Sequence, residues 1–306
     1  MTSPPESPLS VLKRESTTFH WASKFFPKSE REELAQLYTF CRKLDNVADE
    51  GVDPDQARKK LQDVREDLQT ENFETSDHFA VQLYGELHGS GDLRLQPALD
   101  LVDGLIGDLG PVRFSTRDQL LEYAYRVAGT VGLMINDLLG VKQEADPHAV
   151  ALGMGMQISN ITRDLREDYA RDRIYLPKEV IPHERVMRVL ENEPSGGDLE
   201  ALEQAREEMI DLAAQFYRHS DGGIRYLPMR VRPGVFLAGR CYEAIGTHTL
   251  NRDVRNPIED VPIPVPKLVM ITLFAFLQVL VRYDLNGLAP ASQRELPHAE
   301  TLPVEI

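Results

Sequence analysis

The chain has 306 residues and a formal net charge of −15, from 49 acidic and 34 basic side chains. A surface this acidic repels a phosphate backbone, which argues against nucleic acid as a partner. Apolar residues make up 42% of the chain, enough to bury a sizeable core, and argue against intrinsic disorder. Cys41 and Cys241 are too few for a disulfide framework or a zinc site and fit a reducing cytoplasm.

The ends of the chain differ in composition from its middle. Residues 1–10 are rich in Pro and Ser and lack a basic stretch followed by an apolar one, so they predict a disordered tail rather than a signal peptide. We expect one helical domain over 11–290 and a C-terminal tail over 291–306. No repeat of fixed period and no linker divides the domain.

The longest apolar stretch, residues 268–281, is shorter than the ~20 residues that span a bilayer. It predicts a buried helix, with a membrane-docking face as the alternative. We therefore expect a cytoplasmic protein and leave open its peripheral association with a membrane. The sequence also leaves the oligomeric state open.

Apolar residues recur at helical spacing between the turn signals, without a sustained strict alternation. This pattern predicts an all-α fold. The predicted helices cover residues 9–24, 29–50, 54–70, 76–89, 96–108, 116–139, 146–170, 198–219, 231–251 and 266–285.

Two pairs of aspartates carry the main chemical signal. Asp45 and Asp49 are four residues apart on a predicted helix, and so are Asp164 and Asp168, so each pair shares a helix face. The like charges repel, and a divalent cation shared between the carboxylates would turn that repulsion into a binding site. Either pair taken alone is more typical of a solvated helix face than of a metal site.

An arginine precedes each pair, Arg42 in the first and Arg163 in the second. Carboxylates bind hard cations, the cations bind diphosphate oxygens, and guanidinium groups bind the remaining oxygens. The two segments together therefore predict a magnesium–diphosphate site. Pairing of each arginine with a neighbouring acid is the alternative.

Glycines recur in two predicted helices, at Gly129 and Gly132 and at Gly153 and Gly155. Glycine allows a substrate or another helix to come close, and tight helix packing explains these positions equally well. A dinucleotide-binding fingerprint is rejected at Gly153, because no strand precedes it and the third glycine is absent.

Several segments occur in the order typical of one enzyme family. They are Ser16-Thr17-Thr18-Phe19 with Phe26-Pro27, Tyr38-x-Phe40-Cys41-Arg42 before Asp45-x-x-x-Asp49, Tyr125-Arg126-Val127-Ala128-Gly129-Thr130-Val131-Gly132, Gln157-x-x-Asn160-x-x-Arg163-Asp164-x-x-x-Asp168, and Arg173-Ile174-Tyr175-Leu176-Pro177. From about Ser16 to Pro177 the chain resembles the squalene/phytoene synthase family, most closely the bacterial phytoene synthases.

The resemblance implies a single-domain helical bundle of the isoprenoid synthase type around a central apolar cavity. It implies Mg²⁺, with Mn²⁺ as the alternative, held by Asp45, Asp49, Asn160, Asp164 and Asp168. The four aspartates and Tyr175 are the implied catalytic residues. The implied substrate-binding residues are Ser16, Phe19, Tyr38, Arg42, Tyr125, Gly129, Gln157, Asn160, Arg163 and Tyr242. Core packing is the alternative role for each tyrosine.

The implied reaction is a transfer that joins two allylic prenyl diphosphates head to head through a cyclopropylcarbinyl diphosphate. Our first expectation is conversion of two geranylgeranyl diphosphates to phytoene, in carotenoid biosynthesis. The alternative is a farnesyl diphosphate-using enzyme that makes squalene, presqualene diphosphate or hydroxysqualene, with NADPH needed only by a squalene-forming member. A second alternative is a non-catalytic protein that binds prenyl lipids.

The chain departs from the family pattern at three places. Asn46 stands where many phytoene synthases have an acid, and the N-terminal residues Glu15 and His20 also differ. A basic residue expected near Val261 is missing from residues 259–263. Arg252 and Arg255 are the candidates to replace it.

Overall fold

The structure is a computed structural model that describes residues 6–49, 53–91, 93–250 and 270–273, apart from the side chain of Asp49. Its α-helices are α1 (Pro8–Glu15), α2 (Thr17–Ser23), α3 (Lys28–Asp49), α4 (Pro54–Gln69), α5 (Phe79–Ser90), α6 (Leu95–Gly107), α7 (Arg117–Ala124), α8 (Thr130–Leu138), α9 (Asp146–Arg163), α10 (Leu165–Ala170), α11 (His183–Leu190), α12 (Asp198–Ser220) and α13 (Arg232–Thr249). The predicted all-α fold is confirmed.

Two short strands lie among the helices. β1 (Val112–Arg113) and β2 (Arg173–Ile174) pair in parallel, with Val112 opposite Arg173. The backbone N–H of Val112 also donates to the carbonyl oxygen of Asp172 at 3.1 Å. This pair fixes the segment that follows the second acidic pair against the loop that follows α6.

Helix α9 is central to the bundle. It packs against α8, α12 and α13, and its Met154 and Ile158 are fully buried in the core that it shares with α12. A second core lies among α3, α4, α5 and α6, and a third lies between α2 and α13. The residues of α9 that face away from the first core are therefore free to line a cavity.

Three predicted helices are interrupted. Ser16 ends α1 and caps α2, where its Oγ accepts the backbone N–H of Phe19 at 3.2 Å. Residues Tyr125–Gly129 form a π-helical turn between α7 and α8, within predicted helix 116–139. Asp164 leaves helical geometry, with φ −96° and ψ 18°, and divides predicted helix 146–170 into α9 and α10.

Two further features differ from the prediction. Helix α1 begins at Pro8, within the predicted tail, and α11 was not predicted although Val186, Val189 and Leu190 are buried at helical spacing. Of the predicted helix 266–285, residues 270–273 are described and helical. The remainder of that helix lies outside the described residues, together with residues 259–263, Arg252, Arg255 and 291–306. Domain limits of 11 and 290 thus stay a prediction.

Candidate active site

A cavity of about 300 Å³ lies between α2, α3, α8, α9 and α13. Along α9 its lining residues share one face of the helix: His148, Ala149, Leu152, Gly153, Met156, Gln157 and Asn160. From His148 to Asn160 the helix rises by roughly 18 Å at 1.5 Å per residue. The cavity is thus long and largely apolar, and Gln157 and Asn160 place amide groups at the C-terminal end of α9.

Three of the aromatic rings that line this cavity lie close together. The ring centroid of Phe19, on α2, lies 6.0 Å from that of Tyr38 on α3 and 5.0 Å from that of Tyr242 on α13. Burial raises the pKa of Tyr242 to about 12, and the Arg163 guanidinium and a hydrogen bond with Ser16 oppose that rise. The rings therefore connect the α3 motif to the Arg163–Asp164 segment.

The first acidic motif lies near the C-terminal end of α3. Asp45 lines the cavity, and Tyr38 lines it two turns earlier on the same helix. Burial raises the pKa of Tyr38 above its usual range, so this phenol stays neutral. Arg42 binds the carboxylate of Glu15 on α1, with Nε 3.2 Å from Oε2. Asp49 ends the helix.

The second acidic motif lies where α9 gives way to α10. The backbone N–H of Asp168 donates to the carbonyl oxygen of Asp164 at 2.9 Å, so the one-turn spacing survives the break. Arg163 binds Asp164 through two hydrogen bonds of 2.6 Å. Pairing with a neighbouring acid, the alternative that the sequence left open, describes Arg163 in this structure, whereas Arg42 binds an acid from another helix.

The carboxyl group of Asp168 lies in a negative, poorly solvated environment. Burial, followed by the carboxylates of Asp164 and Asp108, raises its pKa to about 8, while Arg171 and Arg173 act in the opposite direction. A cation bound here would relieve the accumulated negative charge.

The polar groups of this region fit a magnesium ion that also binds diphosphate. The Oδ1 atom of Asn160 is buried and has no hydrogen-bond partner, while its Nδ2 atom donates to Gln157 at 3.5 Å. Among the described side chains, no three His, Cys, Asp or Glu residues converge closely enough to hold a metal ion. Mg²⁺ commonly takes one or two carboxylates and completes its shell with water and substrate phosphate oxygens, so the donors present suffice.

Tyr175 belongs to a buried polar cluster that does not line the cavity. Its phenol donates to both carboxylate oxygens of Asp108 at 2.7 Å, and its ring stacks on Tyr123 with centroids 4.7 Å apart. Arg173 contacts the same Asp108 carboxylate at 3.3 Å. The sequence prediction missed Asp108 and Tyr123. Tyr123 lies two residues before the motif that begins at Tyr125 and was within reach of that reasoning, but nothing in the sequence singles out Asp108.

The π-helical turn begins at Tyr125 and ends at Gly129, two predicted substrate-binding residues. Tyr125 is 1% exposed and its phenol lies 3.4 Å from a carboxylate oxygen of Asp100, so it does not line the cavity. A Cβ atom on Gly129 would lie 3.0 Å from the Tyr125 ring and 3.2 Å from Val150. Gly129 therefore provides packing space.

Gly132 and Gly153 lie at a close crossing of two helical segments. A Cβ atom on Gly132 would lie 2.2 Å from the carbonyl oxygen of Ala149, and one on Gly153 would lie 2.1 Å from that of Ala128. Both glycines also line the cavity. Tight helix packing thus accounts for them, and it brings α8 and α9 together at the cavity wall.

The predicted site residues differ in their position relative to the cavity, and Tyr125, Gly129 and Tyr175 do not line it. Those that line the cavity are Phe19, Tyr38, Asp45, Gln157, Asn160 and Tyr242. Ser16, Arg42, Arg163 and Asp164 lie next to these, through the contacts given above. Asp168 lies one turn beyond Asp164, close to the Asp108 cluster.

A helical bundle with an apolar cavity and two Asp-x-x-x-Asp segments defines the isoprenoid synthase class. The family model for squalene/phytoene synthase matches residues 12–266, and the chain belongs to this family. The predicted family is confirmed. So is the predicted enzyme class, a prenyltransferase that joins prenyl diphosphates head to head.

Curated relatives include a 15-cis-phytoene synthase from Enterobacter agglomerans, 31% identical, over 76% of this chain and 81% of the relative. A phytoene synthase from Pseudescherichia vulneris is 32% identical, over 76% and 77%. Another from Thermus thermophilus is 36% identical, over 56% and 59%.

Solved structures support the fold. A dehydrosqualene synthase bound to a ligand superposes with a TM-score of 0.73 at 24% identity, over 90% of this chain and 95% of the other. A squalene synthase from Alicyclobacillus acidocaldarius gives 0.65 at 19% identity, over 79% and 92%.

Proposed function

We propose that this chain condenses two molecules of geranylgeranyl diphosphate head to head to form phytoene, with magnesium as the required cation and without NADPH. The observation that carries the proposal is the long apolar cavity along α9, which is lined by Asp45 of the first acidic motif and by Gln157 and Asn160, which precede the second. The relatives named phytoene synthase, at 31–36% identity, support geranylgeranyl diphosphate as the substrate.

In this proposal Asp45, Asp49, Asn160, Asp164 and Asp168 hold the metal. Bound magnesium supplies charge neutralisation for the departing diphosphate. Arg42 and Arg163 exchange their present carboxylate partners for diphosphate oxygens, which guanidinium groups bind well. The buried Oδ1 atom of Asn160 supports its role as a ligand, because an unpaired buried acceptor is costly unless it gains a partner.

The cavity wall protects and stabilises the allylic cation. Departure of diphosphate leaves positive charge on the prenyl chain, and apolar walls keep water from quenching it. The faces of Phe19, Tyr38 and Tyr242 can stabilise a cation, and the raised pKa values of the two phenols keep them neutral at physiological pH.

The product mass tests this proposal. Purified protein with magnesium is incubated with geranylgeranyl diphosphate or farnesyl diphosphate, each with and without NADPH, and the hydrocarbons are analysed by mass spectrometry. We expect a C40 product from geranylgeranyl diphosphate without NADPH. A C30 product alone would replace the proposed substrate by farnesyl diphosphate, and full activity in excess EDTA would reject the metal requirement.

We further propose a cytoplasmic enzyme that associates peripherally with a membrane, because its hydrocarbon product has no favourable place in water. No described helix is long and apolar enough to cross a bilayer. Flotation of the purified protein with phospholipid vesicles tests the association. Absence of the protein from the floated fraction, with and without product, would contradict it.

A further inference from the structure

The side chain of Glu15 binds the guanidinium group of Arg42, which the proposed function assigns to diphosphate binding. Glu15 ends α1, and its Oε2 atom accepts a hydrogen bond of 3.2 Å from Nε of Arg42 on α3. An Nη atom of Arg42 also lies 3.2 Å from Oε2 of Glu15. Arg42 precedes Asp45 by three residues, so this ion pair lies beside the first acidic motif.

Two further observations show that Glu15 is held in this place. Nε of Arg14 donates to its other oxygen, Oε1, at 2.8 Å, and the carboxylate is 21% exposed. The arginines favour the charged form of Glu15, and its pKa is lowered, chiefly by the hydrogen bond from Arg14. Glu15 is therefore an anion in the resting protein at neutral pH.

Arg42 and Arg163 differ in the origin of their partners. Arg163 binds Asp164, which is itself a member of the acidic motif and adjacent in sequence. Arg42 binds a carboxylate from another helix that belongs to neither motif. A diphosphate that binds Arg42 must displace Glu15, whereas magnesium bound to the motif could itself draw Asp164 away from Arg163.

We propose that Glu15 is a built-in competitor of the substrate diphosphate for Arg42 and that it sets the affinity of the first site for allylic diphosphates. This inference rests on the proposed function. Its physical basis is that one guanidinium cannot donate the same N–H groups fully to two anions.

The test is Glu15→Gln, which removes the charge and keeps the shape. We expect KM for geranylgeranyl diphosphate to fall by roughly 3- to 10-fold, a change larger than any change in kcat, because the lost pair is partly exposed. The dissociation constant of magnesium pyrophosphate, measured by calorimetry, should fall by a similar factor. Unchanged values of both would overturn the inference.

Two controls separate competition from general effects. Glu6 shares Arg14 with Glu15 and has no hydrogen bond or ion pair with Arg42 among the described side chains, so Glu6→Gln should leave both constants unchanged. In an Arg42→Gln background, Glu15→Gln should lose its effect, since the competition acts through Arg42. An equal effect in both backgrounds would reject competition in favour of simple charge repulsion.

The outcomes also distinguish this inference from the proposed function. If the wild-type protein makes the C40 product while Glu15→Gln changes neither constant, the inference fails and the function stands. If no prenyl diphosphate is converted while Glu15→Gln tightens pyrophosphate binding, the function fails and the competition for Arg42 stands.

Discussion

At the scale of single residues, Asp168 lies in an environment that would favour a bound cation. Its carboxyl group is buried beside Asp164 and Asp108, and its pKa is about 8, far above the 3.8 of a free aspartate. A carboxyl group in this position destabilises the metal-free fold whenever it is ionised. The same environment favours a bound divalent cation.

This environment predicts how Asp168→Asn changes the free energy of unfolding at different pH values. Because the folded pKa is raised, the unfolded chain loses this proton first, and the free energy of unfolding falls as pH rises from about 4 to about 8. The amide cannot ionise. In EDTA at pH 8 we therefore expect the free energy of unfolding of the variant to exceed that of the wild type by about 1 kcal/mol or more. Each kcal/mol should raise Tm by about 2–4 °C.

Thermal unfolding across pH 4–9 measures this effect. The gain should be small near pH 4, where the folded protein and about half of the unfolded chains hold the proton, and magnesium with pyrophosphate should stabilise the wild type more than the variant. A variant that is less stable than the wild type at every pH would contradict the assigned environment.

The sequence predicted the residue types of the site better than their partners. The spacing of Asp45, Arg42, Asn160 and Arg163 follows from local motifs, which short-range patterns can reveal. Their resting contacts depend on tertiary packing. The partner of Arg42 comes from α1, and the neighbours of Asp168 include Asp108, sixty residues earlier, which no local pattern could indicate.

At the scale of elements, helix existence was predictable and helix interruption was less so. The break at Asp164 and the π-helical turn at Tyr125–Gly129 carry no proline and no glycine at their starts, so periodicity runs through both. The break at Ser16 has a signal, since serine is a favoured helix N-cap. Such interruptions tend to occur at functional sites, and all three occur here in family motifs.

Because α8 and α9 cross closely, even a small substitution at the crossing should destabilise the fold. Gly132→Ala or Gly153→Ala would place a methyl group about 2 Å from a backbone carbonyl oxygen, so the helices must separate. We expect each to lower the free energy of unfolding by about 1–3 kcal/mol in urea denaturation. Gly89→Ala is the control, because the space around this exposed residue of α5 is open. Equal stability of all three variants would contradict the crossing.

The residues at the N-terminal end of α9 should determine which length of prenyl chain the cavity accepts. His148 lines the cavity there, and a Cβ atom on Gly223 would lie 2.5 Å from that of His148. Gly223→Ala should therefore displace the imidazole and shorten the cavity. We expect the ratio of kcat/KM for geranylgeranyl over farnesyl diphosphate to fall by roughly 10-fold, the scale of a small steric change in an apolar pocket.

The opposite change supplies the second arm of this test. His148→Ala should raise the same ratio, because it removes the ring from the end of the cavity. Both ratios are obtained from initial rates with the two substrates. A ratio that stays constant in both variants would place the end of the prenyl chain elsewhere.

At the scale of the whole molecule, one ion cluster joins the two halves of the bundle. Arg94, just before α6, binds Asp137 of α8 at 2.8 Å and Asp146 of α9 at 2.7 Å. The aspartate side chains are 8% and 13% exposed, so their charges depend on this arginine. The cluster fixes the N-terminal end of α9, and thus the far end of the cavity.

Removal of this arginine should weaken the fold. We expect Arg94→Ala to lower the free energy of unfolding by about 2–4 kcal/mol in urea denaturation, since it leaves two largely buried carboxylates without a counter-ion. Arg65→Ala is the matched control, because Arg65 and Asp103 are each about one-third exposed and their pair should contribute at most about 1 kcal/mol. Similar losses in the two variants would contradict a special role for Arg94.

The central claim is that both acidic segments act together on one metal–diphosphate site. It is tested most directly by the rate of C40 formation in Asp45→Asn, Asp164→Asn and the double variant, with exposed Asp63→Asn as the control. We predict that each single variant loses at least about 100-fold in kcat, that the double variant loses little more, and that the control is unaffected. Activity within about 10-fold of wild type in either single variant would contradict the claim.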